Sequence, residues 1–256
     1  MALITASVED RIGTIALNRD HRRNALSAEL IAEFIAALDE FRTAGVRALV
    51  LRSATGGKVW SAGHDVLELP RAEVDPLPYS EPLMQLLRAV KAFPAPVIAM
   101  VQGSVWGGAC DLVISCDLAY GDETATFAVT PSKLGVPYNV GGLLNFLSRL
   151  PLAVVKEMFF SAEPINAERA EQVGLVNRIV PAAQLESTVY DMARTISSRS
   201  AESIAATKES IRVLTESASI TPATFEFLQS LRRAVYFGPD YREGLQAFRE
   251  KRAPNF

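Results

Sequence analysis

The chain has 256 residues, a length that fits one large domain or two small ones. Apolar residues make up 49% and charged residues 21%, which is typical of a globular protein that needs no disulfide or metal to fold. The net charge is −3, from 26 basic and 29 acidic residues. This balance provides no bulk attraction to nucleic acid or to an anionic membrane.

The chain has two cysteines, Cys110 and Cys116, and two histidines, His21 and His64. The cysteine spacing matches neither a zinc-binding motif nor a CxxC redox pair, so we expect no metal site. The N-terminus does not have the pattern of a targeting peptide, and no apolar stretch approaches the ~20 residues that span a bilayer. These features predict a cytoplasmic protein.

Hydrophobic periodicity predicts alternating strands and helices over about the first 180 residues. The predicted strands are Leu3–Val8, Ile12–Leu17, Val46–Leu51, Val97–Val101, Leu118–Tyr120, Phe127–Val129 and Leu175–Val180. A first helix begins after the N-cap Ser27 and repeats its apolar positions up to Gly45. Further helices are predicted at Pro82–Phe93, Ala109–Cys116, Leu143–Leu150, Leu152–Ser161 and Ala167–Val173. Strand, helix and strand in this order predict parallel, right-handed crossovers.

The pattern changes after residue 182, where almost every residue belongs to a helical repeat. The predicted helices are Gln184–Ser198, Ala201–Leu214, Pro222–Tyr236 and Asp240–Arg252. We place a soft boundary near residues 197–200. The sequence therefore predicts an α/β body followed by a helical C-terminal region.

Two glycine-bearing segments follow predicted strands, at residues 58–65 and 103–111. Neither matches a dinucleotide fingerprint, a phosphate-binding P-loop or a nucleophile elbow. Gly-Gly at the start of a helix leaves backbone N–H groups without intrahelical acceptors. Two such loops side by side would supply two donors to one oxygen, an oxyanion hole, although glycine turns also serve simple packing.

Several motifs together resemble the crotonase (enoyl-CoA hydratase/isomerase) superfamily. Ser61-Ala62-Gly63-His64-Asp65 is similar to its A-G-x-D segment, and Gly103–Asp111 is similar to its second oxyanion-hole segment. The similarity continues to the tail and covers essentially the whole chain. It implies an α/β fold with a crotonase-type ββα spiral core carrying the acyl-CoA site, residues 1–197. It also implies a helical C-terminal oligomerisation region, residues 198–256, that forms homotrimers, commonly paired as dimers of trimers.

The resemblance also implies roles for individual residues. The backbone N–H groups of His64 and Gly108 are expected to donate to the thioester carbonyl, and Tyr138 completes the expected catalytic set. Substrate and CoA are expected to contact Arg23, Ala62, Gly63, His64, Asp65, Val66, Gly108, Thr130 and Lys251. We expect no metal and no redox cofactor, because CoA is part of the substrate.

The type of reaction follows from where the chain departs from hydratases. Their two catalytic glutamates fall on Asp111 and Pro131, so one carboxylate is shortened and the other is missing. Water addition needs both groups, whereas losing CO₂ from a 2-carboxyacyl thioester needs no base to start. The departures, with residues 134–139, resemble the methylmalonyl-CoA decarboxylase branch of the superfamily, which carries Glu at position 111. We therefore expect decarboxylation of a 2-carboxyacyl-CoA, methylmalonyl-CoA to propionyl-CoA first, through an enolate.

Two expectations concern the substrate carboxylate, and two alternatives stay open. Tyr138 is expected to hold that carboxylate, and the His64 side chain is a second candidate for this task or for proton delivery. Within the superfamily, the alternative to a decarboxylase is a hydratase, an isomerase or an acyl-CoA thioesterase. An RNA-binding crotonase-fold protein is the alternative of another class, although the net charge and the scattered arginine pairs argue against a nucleic-acid partner.

Overall fold

Strands and helices alternate over about the first 180 residues of the chain. The computed structural model describes residues 2–70, 74–216 and 220–256. The strands are β1 (Ile4–Glu9), β2 (Ile12–Leu17), β3 (Ala48–Ser53), β4 (Val59–Ser61), β5 (Val97–Val101), β6 (Ser104–Trp106), β7 (Leu118–Gly121), β8 (Thr126–Ala128), β9 (Ile165–Asn166) and β10 (Arg178–Ile179). The helices are α1 (Ala28–Thr43), α2 (Pro82–Lys91), α3 (Gly108–Ser115), α4 (Val140–Arg149), α5 (Leu152–Ser161), α6 (Ala167–Gln172), α7 (Ala182–Ser197), α8 (Ala201–Glu216), α9 (Pro222–Tyr236) and α10 (Pro239–Glu250).

The strands form two sheets, one in the order β1-β2-β3-β5-β7-β10 and one in the order β4-β6-β8-β9. β1 and β2 make an antiparallel hairpin, and from β2 onward the larger sheet is parallel. Successive strands enter different sheets before a helix follows, as in β3-β4-α2 and β5-β6-α3. This repeat confirms the predicted ββα spiral and its parallel crossovers.

Most predicted elements are found within a few residues, and two local predictions are wrong. Ser27 accepts a hydrogen bond from the backbone N–H of Leu30 and caps α1, as expected. The glycines indicate a turn at Gly103–Gly108, but this segment contains the strand β6. Three residues are too few to show the period-2 pattern of a strand. The strand predicted at Leu175–Val180 is reduced to β10, because the N–H groups of residues 175 and 176 bond back to Ala170 instead.

Apolar side chains pack in three clusters. The largest contains residues of both sheets and of helices α1 to α6, and within it Trp60 donates its indole N–H to the backbone oxygen of Met100 at 2.8 Å. The second lies between α7 and the larger sheet. The third, called here the tail cluster, joins the body to α9 and α10 through Leu69, Leu77, Val136, Tyr236, Tyr241 and Leu245.

The C-terminal helices contact the body unequally. No side chain of α8 is buried, whereas α10 approaches the turn at residues 131–135 backbone to backbone. A Cβ at Gly244 would lie 2.1 Å from the backbone oxygen of Leu134, and one at Gly135 would lie 2.5 Å from that of Asp240. Glycine is required at both positions for this contact. The division of the chain at residue 197 stays a prediction.

None of the helices in the described ranges has the length and apolar character to cross a membrane.

Candidate active site

The two glycine segments predicted from the sequence lie against each other. Gly63 has φ +80°, and a Cβ there would lie 2.2 Å from the backbone oxygen of Trp106 and 2.9 Å from the backbone nitrogen of Gly108. A Cβ on Gly108 would in turn lie 3.5 Å from the backbone nitrogen of His64. Only glycine permits this approach, which brings the peptide groups of residues 64 and 108 together.

Both of those peptide N–H groups are available to a ligand. His64 pairs with Leu26 in an isolated parallel bridge, whose two hydrogen bonds use the oxygen of Gly63 and the N–H of Asp65. No hydrogen bond between described residues uses the N–H of His64. Gly108 is the first residue of α3, where N–H groups have no intrahelical acceptor and the helix dipole favours negative charge. The arrangement suits an oxygen that gains negative charge during a reaction.

A mostly apolar cavity opens beside these donors. The residues that line it are Ala62, His64, Val66, Leu69, Leu77, Leu83, Met84, Gly107, Gly108, Thr130, Pro131, Leu134, Val136, Tyr138 and Asn139. Over the described ranges, the lining contains no carboxylate, and its polar side chains are His64, Thr130, Tyr138 and Asn139. Within the described residues, no three His, Cys, Asp or Glu side chains are grouped to hold a metal ion.

The His64 side chain is held at both ring nitrogens. Nδ1 lies 3.1 Å from the backbone oxygen of Asp65, and Nε2 lies 2.7 Å from Oε1 of Glu81. Glu81 is itself fixed, because its other carboxylate oxygen accepts from the N–H of Met84 at the start of α2. Burial lowers the pKa of His64, but the hydrogen bond and charge of Glu81 outweigh it and raise the pKa above its ordinary value. Both ring nitrogens therefore already have an oxygen partner within the protein, and the raised pKa favours the protonated ring.

Tyr138 belongs to a second buried network. Its hydroxyl donates to Oδ2 of Asp111 at 3.1 Å, and Asn145 donates its side-chain N–H to Oδ1 at 2.8 Å. Burial raises the pKa of Asp111 to about 6, although the hydrogen bonds of Asn145 and Tyr138 oppose the shift. A Cβ at Gly142 would lie 2.4 Å from the Tyr138 ring and 2.6 Å from the Asp111 carboxylate, so glycine leaves the room for this contact. The Tyr138 hydroxyl therefore already has an acceptor, and its expected role toward a substrate stays a prediction.

The structure brings some of the predicted site residues to the cavity and not others. Those that line it are Ala62, His64, Val66, Gly108, Thr130, Pro131 and Tyr138. Those that do not are Arg23, Gly63, Asp65, Asp111 and Lys251.

Among the residues outside the cavity, Arg23 and Lys251 are exposed, and the Arg23 carbonyl accepts from the N–H of Ala62. The Asp65 carboxylate pairs with Arg19 at 2.8 Å and caps a short 3₁₀ turn. Asp65 therefore contributes to local folding through its side chain. The CoA contacts expected of these residues stay predictions.

Sequence reasoning missed two polar residues. Asn139 lies in a motif that was recognised, but nothing in the letters showed that its side chain borders the cavity. Glu81 is 17 residues from His64 and directly precedes the predicted helix Pro82–Phe93. The pattern E-P before an apolar helix does indicate an N-cap, which was the available signal.

Known proteins resemble this chain over its full length. A profile of the enoyl-CoA hydratase/isomerase family matches residues 7–256. The chain belongs to this family. The methylmalonyl-CoA decarboxylase of Escherichia coli is 44% identical over 96% of this chain and 95% of its own length. The mitochondrial enoyl-CoA hydratase of Pongo abelii is 33% identical over 96% of this chain and 83% of its own.

Solved structures place the chain within the same enoyl-CoA hydratase/isomerase family. A methylmalonyl-CoA decarboxylase in complex with 2-nitronate-propionyl-CoA has a TM-score of 0.97 at 42% identity, over 99% of this chain and 98% of that one. An enoyl-CoA hydratase from Mycobacterium avium subsp. paratuberculosis has a TM-score of 0.82 at 25% identity, over 100% and 99%. The crotonase-type fold with its helical C-terminal region is therefore confirmed, and the chain is an enzyme of this superfamily.

Proposed function

We propose that this enzyme decarboxylates a 2-carboxyacyl-CoA, with methylmalonyl-CoA as substrate and propionyl-CoA as product. The similarity to methylmalonyl-CoA decarboxylase in sequence and structure supports this proposal. A structure of that enzyme complexed with 2S-carboxypropyl CoA, 42% identical over 100% of this chain, supports an acyl-CoA with a 2-carboxyl group as the ligand.

The reaction follows from the two backbone donors. The thioester oxygen accepts from the N–H groups of His64 and Gly108. The bond between the α-carbon and the carboxylate then breaks, CO₂ leaves, and the electron pair forms an enolate whose charge lies on that oxygen. The α-carbon next takes up one proton from solvent. Because the donors face the oxygen that becomes charged, they stabilise the transition state more than the substrate.

The observation that carries the proposal is the chemistry of the cavity wall at position 131. Pro131 lines the cavity, and no Asp or Glu among the residues that the structure describes does. A carboxylate at this position would activate water in a hydratase, and in a buried pocket it would repel the carboxylate of a 2-carboxyacyl group. Asp111 cannot replace it, because its carboxylate lies outside the cavity and is bonded to Tyr138 and Asn145.

The test is a panel of malonyl-, methylmalonyl-, ethylmalonyl- and crotonyl-CoA, in which CO₂ release and hydration are both followed. We expect CO₂ release from methylmalonyl-CoA and negligible water addition to crotonyl-CoA. Hydration at a rate comparable to decarboxylation would overturn the proposal in favour of a hydratase. Hydrolysis of the thioester without CO₂ release would favour a thioesterase.

Several finer statements belong to the same proposal. We propose a homotrimer, or a dimer of trimers, built through the C-terminal region. Exposed apolar side chains on α8 and α9, among them Leu214, Phe227 and Leu231, support an interface there. We also propose a cytoplasmic location, a reaction without metal or redox cofactor, and contacts of Arg23 and Lys251 with the CoA phosphates. RNA binding is not favoured.

A further inference from the structure

We propose that the side-chain amide of Asn139 binds the carboxylate of the 2-carboxyacyl substrate and makes the cavity selective for it. This inference rests on the proposed decarboxylase function and names a residue for one of its tasks. It starts from a buried donor that the fold leaves unused.

The orientation of the Asn139 amide is fixed by its position before α4. Oδ1 accepts a hydrogen bond of 2.7 Å from the N–H of Gly142 and so caps the helix. Nδ2 is consequently on the other side of the amide, is buried, and has no hydrogen-bond partner among the described residues. Asn139 is 7% exposed and lines the cavity. A buried N–H donor without a partner is rare, and one on a residue that lines a cavity is available to a ligand there.

The other polar side chains of the cavity are less available. Both ring nitrogens of His64 lie within hydrogen-bond distance of oxygen atoms, those of Asp65 and Glu81. The Tyr138 hydroxyl donates to Asp111 and has no second proton to give. Thr130 is half-buried, so water can satisfy its hydroxyl. Among these side chains, Asn139 alone offers a buried N–H group that no other residue uses.

The chemistry of the substrate determines which kinetic constant this contact affects. A neutral amide donates to a carboxylate in a charge-assisted hydrogen bond, which is stronger than a neutral one. As the C–C bond breaks, the carboxylate becomes neutral CO₂ and the bond weakens. An interaction that is stronger in the substrate than in the transition state improves binding without raising kcat. Asn139 is therefore a binding and selectivity residue, unlike the oxyanion-hole donors.

The test uses substitutions that keep the helix cap and remove the donor. Asn139→Asp retains an oxygen for the N–H of Gly142 but presents a carboxylate oxygen where the amide nitrogen was. Asn139→Ser is the second variant, because serine is also a good N-cap residue. The matched control is Asn166→Asp, since Asn166 caps α6 in the same way, through the N–H of Arg169 at 2.9 Å, and does not line the cavity.

Calorimetry measures the dissociation constants of 2-carboxypropyl-CoA and propionyl-CoA, and turnover of methylmalonyl-CoA separates KM from kcat. We expect both Asn139 variants to bind 2-carboxypropyl-CoA roughly 10–150-fold more weakly, the loss of one hydrogen bond to a charged group. Binding of propionyl-CoA should be nearly unchanged, the KM for methylmalonyl-CoA should rise, and kcat should not fall. The control should match the wild type.

Two results would overturn the inference. One is equal weakening for the two ligands, which would assign Asn139 a structural role. The other is unchanged discrimination in folded Asn139 variants. Failure of the decarboxylase proposal gives a different result, because the wild-type protein would then release no CO₂ and would show no preference for 2-carboxypropyl-CoA over propionyl-CoA.

Discussion

The two sides of the cavity are built from different parts of the polypeptide. On one side, the thioester oxygen would meet only peptide N–H groups, those of His64 and Gly108, held by the contact of Gly63 with Trp106. On a second side, side chains provide the polar groups, with Tyr138 bonded to Asp111 and Asn139 capping α4. The two peptide groups meet only because the two backbone segments approach closely, and an added Cβ at Gly63 would prevent this approach. Ligand binding by the side chains depends on whether each polar group has an N–H or O–H donor that no other residue uses.

The largest loss is expected on the backbone side, from Gly108→Val. A Cβ at this position would lie 2.5 Å from Cδ2 of Leu83 and 3.5 Å from the backbone nitrogen of His64, so we expect the valine side chain to displace the Gly108 peptide or to fill the space of the thioester oxygen. Losing one oxyanion-hole donor typically lowers kcat by ~10²–10³-fold. The control is Gly57→Val, where an added Cβ has no neighbour closer than 3.4 Å. Wild-type turnover in folded Gly108→Val would remove this residue from the site.

A smaller loss is expected from Tyr138→Phe. Because the hydroxyl proton is directed to Asp111, its removal takes away an ordinary hydrogen bond, and we expect decarboxylation to fall by no more than about tenfold. Tyr190→Phe is the matched control, since its hydroxyl bonds Thr14 and does not line the cavity. A much larger loss of kcat/KM for methylmalonyl-CoA, with propionyl-CoA binding unchanged, would mean that Tyr138 holds the substrate carboxylate.

The smallest effect on turnover is expected from Asp111→Asn, which instead changes how stability depends on pH. The folded pKa of Asp111 is raised to about 6, so between pH 4 and 6 the folded state binds more protons than the unfolded state. The free energy of unfolding therefore falls as pH rises through this range, by up to roughly 3 kcal/mol from this group. Urea unfolding of the wild type should show the decrease, and Asp111→Asn should lack it.

The control for this measurement is Asp39→Asn, which removes an exposed carboxylate paired with Arg42. It should leave the decrease between pH 4 and 6 in place, because exposed pairs contribute little. The same pH dependence in Asp111→Asn as in the wild type would show that Asp111 ionises normally in the folded protein.

The backbone side was the more predictable from sequence. The sequence shows glycine at positions 63 and 108, and the motif around each glycine predicts the two backbone donors. The sequence predicts the side-chain contacts less well, because it does not show to which acceptor a hydroxyl or amide group donates its hydrogen bond. For Tyr138, the sequence does not show that Asp111, 27 residues earlier, accepts its hydrogen bond, and its role toward the substrate stays a prediction. Glu81 was missed for the same reason, since its pairing with His64 exists only after the chain folds.

Fold prediction shows the same dependence on local pattern. Long periodic helices such as α5 and α9 were placed to the residue, whereas β4, β6 and β9 have two or three residues each and carry no measurable period. Their pairing is determined by the sheet they join. The second sheet was therefore known from the resemblance and not from periodicity.

The reciprocal glycines at 135 and 244 bear on how the molecule can be divided. Leu134, whose carbonyl faces Gly244, lines the cavity, and so do Leu69, Leu77 and Val136 of the tail cluster. Their apolar surface is covered by Tyr236, Tyr241 and Leu245, which lie beyond residue 197. The helices after residue 197 thus pack directly against the wall of the cavity. A fragment that ends at residue 197 would keep the two oxyanion-hole donors. It would lose the side chains that pack behind the apolar wall of the cavity, where the acyl group is expected to bind.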